Sequence, residues 1–180
     1  MRIKGSRATR IMFAVLAGVG TALVAATPAH ADAPAGPTIP PASTVAGSGG
    51  LVLDFPGFQG DPVRFSIAAH GQLTQAKGRF HVNHRRADGA PFGEFGGRVD
   101  CVATQGNVSV VTGIVETAEL PGLPGVNVVG KRVGLTVQDN GPRGDRIGWS
   151  WAFAGFEHDA LPCSGTVPFY PLSSGGLLVR

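Results

Sequence analysis

The chain has 180 residues, 43% hydrophobic and only 15% charged, with 28 glycines, 14 prolines and two cysteines, which fits one domain rather than several. Its formal charge of +3 comes from the first ten residues: without Arg2, Lys4, Arg7 and Arg10, the 15 basic residues fall to 11 against 12 acidic ones, a charge of −1. The remainder holds two lysines and scattered arginines, so it lacks the clustered basic footprint of a nucleic-acid binder, and that class is excluded.

Residues 1–31 read as a secretory signal peptide. A basic start is followed by an apolar run from Ile11 to Ala26, then Pro28 and the small-residue site Ala29-His30-Ala31, with cleavage expected after Ala31. The run is about 16 residues, short of the roughly 20 that span a bilayer, and no Lys/Arg stop cluster follows it. No cysteine near the site offers a lipid attachment, and no twin-arginine pair precedes the run. The expected product is secreted by the general route and keeps no stable membrane anchor.

Residues 32–50 are rich in Pro, Ala, Gly, Ser and Thr without an apolar period, which reads as a disordered, partly extended linker. From 51 to 180 the period is two. Val63, Phe65 and Ile67 alternate with polar or small residues, as do Phe80 and Val82, Val99 and Cys101, and Val133, Leu135 and Val137. Val108, Val110, Thr112 and Ile114 form one face of a longer stretch that Gly113 is placed to kink. Ile147, Trp149, Trp151 and Phe153 give the strongest apolar face, read as core rather than as a sugar-stacking platform.

Turn signals separate these runs: Ala87-Asp88-Gly89, Gln105-Gly106-Asn107, the Leu-Pro-Gly repeat at 120–125, and Asp139 to Asp145. No stretch of ten residues carries a helical stripe. The expected fold is all-β, a single antiparallel sandwich or barrel of about seven to nine strands. Cys101 and Cys163 are most simply one disulfide in an oxidising compartment, since neither has a histidine at zinc-ligand spacing.

Several of these segments, Gly-Arg-Phe-His-Val at 78–82, Gly-Arg-Val-Asp-Cys at 97–101, Val-Gln-Asp-Asn-Gly at 137–141 and Gly-Asp-Arg at 144–146, resemble a group of small secreted actinobacterial β-domains of unknown function. The resemblance spans about 63–155. It implies a secreted β-fold and brings no activity and no site residue.

The chemistry-bearing residues are few. Asp139, Asn140 and Asp145 offer oxygen ligands that calcium could use, although the loop lacks EF-hand spacing and Asp-Asn-Gly is also a favoured strand exit. His81 and His84 are three apart on a strand, hence on opposite faces, which opposes a shared zinc. Ser150, His158 and Asp159 can be combined into a dispersed triad, and Glu94 with Asp100 into a glycosidase-like carboxylate pair, but no Gly-x-Ser-x-Gly or His-Glu-x-x-His signature supports either. The 118–125 loop would suit a protease inhibitor if it protruded. Asn107-Val108-Ser109 fits a glycosylation sequon. The leading expectation is a non-catalytic extracellular module for a protein, glycan or envelope component, needing no cofactor; the alternative is a small secreted hydrolase or a protease inhibitor.

Overall fold

The structure, a computed structural model, describes residues 41–153 and 155–180. The leader 1–31 and the first part of the linker, 32–40, lie outside the described residues. The rest forms nine strands: β1 Ser43–Val52, β2 Pro62–Gly71, β3 Lys77–Arg85, β4 Pro91–Gln105, β5 Val108–Glu119, β6 Arg132–Gln138, β7 Arg146–Trp149, β8 Tyr170–Pro171 and β9 Ser174–Val179, with a single 3₁₀ turn at Gly141–Arg143. The all-β expectation holds, with the strands in one antiparallel sheet, curled into a half-barrel, in the order β8-β7-β6-β5-β4-β3-β2-β1-β9.

The curl follows from the alternation. Val63, Phe65, Ile67 and Ala69 of β2 turn inward, and their neighbours Phe80 and Val82, Phe95 and Val99, Val111 and Val115, and Val133, Leu135 and Val137 do the same. Two bulges interrupt the β4–β5 pairing, one that leaves Glu116 of β5 unpaired opposite Gly96/Gly97 and one that leaves Asp100 of β4 unpaired between Val99 and Cys101. The second bulge corrects the expected face: Val99 and Val102 point into the core, while Cys101 turns out, paired with Thr112. In β5 the buried inner positions are likewise Val111 and Val115, so the face carrying Val108, Val110, Thr112 and Ile114 is the outer one.

That outer face has its own cover. The segment between β7 and β8 crosses it and is fastened by the Cys101–Cys163 disulfide, with Cα atoms 5.3 Å apart. The Cys163 amide donates to Thr112 Oγ1 at 3.3 Å, and the Ala160 amide to the Arg132 carbonyl at 3.0 Å. Gly134 and Gly148 make the close approach possible: a Cβ on Gly134 would lie 2.6 Å from the Ser164 carbonyl oxygen, and one on Gly148 would run into the Val167 carbonyl.

Two sequence expectations are corrected here. The linker ends early, because Ser43–Gly50 is strand, paired with β2 on one side and β9 on the other. Val45, fully buried, anchors it, and its glycines fit where β9 and Leu172 press close: a Cβ on Gly47 would collide with the Gly176 carbonyl, and one on Gly49 with the Leu172 side chain. At the other end, β7 stops at Trp149. The Ser150 hydroxyl takes the Gly134 amide at 3.0 Å, so the chain turns away and Phe153 is 76% exposed instead of core.

The two ends of the sheet are stitched by side chains. Asp145 Oδ2 accepts the Leu177 amide (2.8 Å) and Asp139 Oδ2 the Val179 amide (3.0 Å), so carboxylates beside β6 and β7 hold β9. The Tyr170 hydroxyl of β8 sits 2.8 Å from the Val52 carbonyl and accepts the Asp54 amide at 2.9 Å. Among the described residues no helix is long and apolar enough to cross a membrane.

Candidate functional site

The curl leaves one end of the core unfilled. Between the inner face and the segments around it lies a cavity of about 270 Å³, walled almost wholly by apolar side chains. The fully buried Phe65 and Val82, with Val63 and Trp149, come from the sheet. The β1–β2 connection supplies Leu53, Phe55 and Phe58, the β5–β6 connection Leu120 and Leu123, and the turn after β7 Trp151, Ala152 and Phe156. Trp151 and Phe156 are stacked, with ring centroids 5.7 Å apart and planes 13° from parallel, and Phe95 meets both edge-on.

A single titratable side chain faces this space among the described residues, His84. Register places it there: His84 pairs with Val63, so it shares the inner face, whereas His81 pairs with Ser66 outside. Its Nε2–H donates to Asp61 Oδ2 at 2.9 Å. Asp61 is buried to 3% exposure; its Oδ1 accepts the Ala87 amide at 2.8 Å, and Arg86 stands 3.7 Å from Oδ2. The imidazole lies between Phe92, 4.3 Å from ring to ring, and Phe58 at 5.6 Å, and the Arg86 guanidinium caps Phe92 at 4.2 Å. Burial pushes the imidazole below its ordinary pKa of 6.5; the Asp61 hydrogen bond and charge oppose this, and Arg86 adds to it. His84 is therefore a neutral, fixed imidazole at pH 7.

The 139–145 loop, whose oxygens calcium could use, spends its carboxylates on backbone amides. Asp139 Oδ1 accepts the Gly141 amide, Asp145 Oδ1 the Asn140 amide, and the other two oxygens hold β9. Asn140 donates to the Gly144 carbonyl and accepts from Asn107. Every carboxylate oxygen thus faces the positive end of an N–H dipole, which disfavours a cation, and the described residues contain no group of three or more metal-ligating side chains. Asp139, Asn140 and Asp145 clamp the two ends of the sheet together.

The other candidates also separate. Glu94 bonds His81 and Asn83, while Asp100 takes Thr112 and Arg132, each at 2.7 Å. Six positions apart on one strand, the two carboxyls are separated by about 20 Å, beyond the ~5–9.5 Å of a glycosidase pair. Ser150 is engaged with Gly134 and Asp159 stands 3.8 Å from Lys131; no hydrogen bond among the described residues joins Ser150, His158 and Asp159. The 118–125 loop turns Leu120 and Leu123 into the cavity and ties the Gly122 amide to the Phe92 carbonyl, so it does not protrude. Asn107 spends its side-chain amide on the Asp139 carbonyl at 2.8 Å.

The residues that build the cavity were not visible as a site in the sequence. A signal existed in Asp54-Phe55-Pro56-Gly57-Phe58-Gln59-Gly60-Asp61, where two phenylalanines interrupt a turn-forming stretch without any strand period. Aromatics in such a segment are stable only if they pack inward. The chain matches no protein-family model, no curated protein and no solved structure.

Proposed function

We propose that this chain is an exported, non-catalytic binding domain that holds a small apolar ligand in the cavity at the end of its curled sheet. The observation that carries this reading is the cavity itself: aromatic, preformed and large enough for about two rings, given that ~150 Å³ of apolar space takes one benzene. A space walled by Phe, Trp and Leu gives water few hydrogen bonds, which favours an apolar occupant. The lining offers one neutral imidazole and no hydroxyl, thiol or carboxyl group, which suits binding better than acyl or glycosyl transfer. Export is supported by the leader-like residues 1–31 and by the Cys101–Cys163 disulfide, a bond of oxidising compartments.

Thermal unfolding in the presence of naphthalene tests the reading, because a ligand that binds only the folded state raises Tm by mass action. The two tryptophans of the chain, Trp149 and Trp151, both line the cavity and report the transition. A rise in Tm that grows with naphthalene concentration supports the proposal. An unchanged Tm up to the solubility limit refutes it.

A further inference from the structure

We infer that the ligand of this cavity carries a hydroxyl group, and that this hydroxyl donates its hydrogen bond to Nδ1 of His84. The inference rests on the cavity being a ligand site, and goes on to name the chemistry of what fills it.

His84 is the one side-chain acceptor in the lining among the described residues. The other lining residues are aliphatic or aromatic, and the indoles of Trp149 and Trp151 can only donate. Asp61 sets which nitrogen of the imidazole is free. Its oxygen takes the Nε2–H at 2.9 Å, so in the neutral ring Nδ1 carries the lone pair. No protein donor among the described residues meets Nδ1. A ligand hydroxyl that donates to Nδ1 makes a hydrogen bond that a hydrocarbon of the same size cannot make.

The acceptor is also held in place. Phe92 and Phe58 flank the ring, and Asp61 is fixed by the Ala87 amide as well as by Arg86. Asp61 is thus a positioning residue: it never meets the ligand, and it fixes the tautomer and the direction of the lone pair. A rigid acceptor discriminates between a hydroxyl and its methyl ether. The two differ little in size, and only one can donate. The class of ligand is therefore a flat or compact apolar molecule of about two rings with a phenolic or alcoholic hydroxyl.

Isothermal titration calorimetry of the disulfide-bonded protein at pH 7.5 with naphthalene, 2-naphthol and 2-methoxynaphthalene separates the possibilities. The expected result is that 2-naphthol binds about three- to tenfold more tightly than the other two, the worth of one net hydrogen bond. In His84→Phe the ring packing is kept and the three affinities should converge. Because that variant leaves Asp61 unpaired and can lose stability, the ¹⁵N shift of His84 Nδ1 in the unaltered protein is the second readout: it should move with 2-naphthol and not with 2-methoxynaphthalene. If all three bind alike, or if 2-naphthol binds more tightly while Nδ1 stays unmoved, the hydroxyl inference is overturned and the cavity reading survives. If none binds, both fall.

Discussion

His84, on the inner face of β3, and Asp61, in the turn before β2, meet at 2.9 Å, one lining an apolar cavity and the other buried behind it. Neither is in a place where sequence pattern alone puts a polar pair. Their juxtaposition follows from β3 pairing with β2, which sets His84 opposite Val63, and from the turn that delivers Asp61 just ahead of β2.

The first consequence is a pH dependence with a definite sign. Folding lowers the pKa of His84 from 6.5, so between that value and the folded one the unfolded chain binds more protons. The contribution of the neutral imidazole is present above pH 6.5 and is lost as pH falls below it. Denaturant unfolding midpoints should decline from pH 6.5 downward, and His84→Gln, which cannot titrate, should flatten that part of the curve. Glu94, whose pKa the His81 and Asn83 hydrogen bonds lower, acts in a separate window below 4.5. An equal decline near pH 6 in both proteins would remove His84 as its source.

Asp139 and Asp145 should matter for stability and not for metal. Each accepts two backbone amides, and charge-assisted bonds of this kind contribute roughly 1.5–3 kcal/mol. Asp145→Ala should cost about 2–4 kcal/mol, since it frees the Leu177 and Asn140 amides together. Chemical denaturation in EDTA and in excess calcium checks both halves of the statement. A midpoint that rises with calcium would restore the metal reading.

The disulfide closes a loop of 62 residues, for which the chain-entropy argument gives about 4 kcal/mol. Cys101→Ser with Cys163→Ser should lose up to that amount. Its local effect should be to lift the strap off the outer face, so hydrogen exchange at position 163 and at Ala160, whose amides reach Thr112 Oγ1 and the Arg132 carbonyl, should quicken before that of the inner strands. Uniform quickening across β2 to β6 would contradict a local strap.

Gly134→Ala offers an independent check on the same packing. Its new methyl would meet the Ser164 carbonyl at 2.6 Å, too close for real atoms, so the strap must shift. A destabilisation of roughly 1–3 kcal/mol is expected, the range for overpacking. A neutral Gly134→Ala would mean that the strap sits farther out than described.

Much of the architecture was legible because alternation is a direct print of a half-buried strand. Six of the strands, β2 to β7, were read from it, with the turns between them. Three were missed for physical reasons. β1 is so rich in Ser and Gly that it imitates a linker, yet those small residues are what let β9 and Leu172 pack against it. β8 has two residues, too few for any period, and β9 carries two glycines. The faces of β4 were misjudged because the bulge at Asp100 resets alternation mid-strand. The cavity was illegible since its walls come from three separate connections and four strands, and an unfilled space leaves no mark in a sequence. The carboxylates that drew attention as metal ligands were spent on backbone amides, which only tertiary structure reveals.

The most direct test of the cavity as a binding site is a methyl-labelled NMR titration of the disulfide-bonded protein with naphthalene. The expected result is saturable shifts at Leu53, Val63, Val82, Leu120 and Leu123, which line the cavity, with Val102, Val108 and Val110 at the far end of the sheet unmoved. Shifts confined to the far group, or none at saturating ligand, would contradict it.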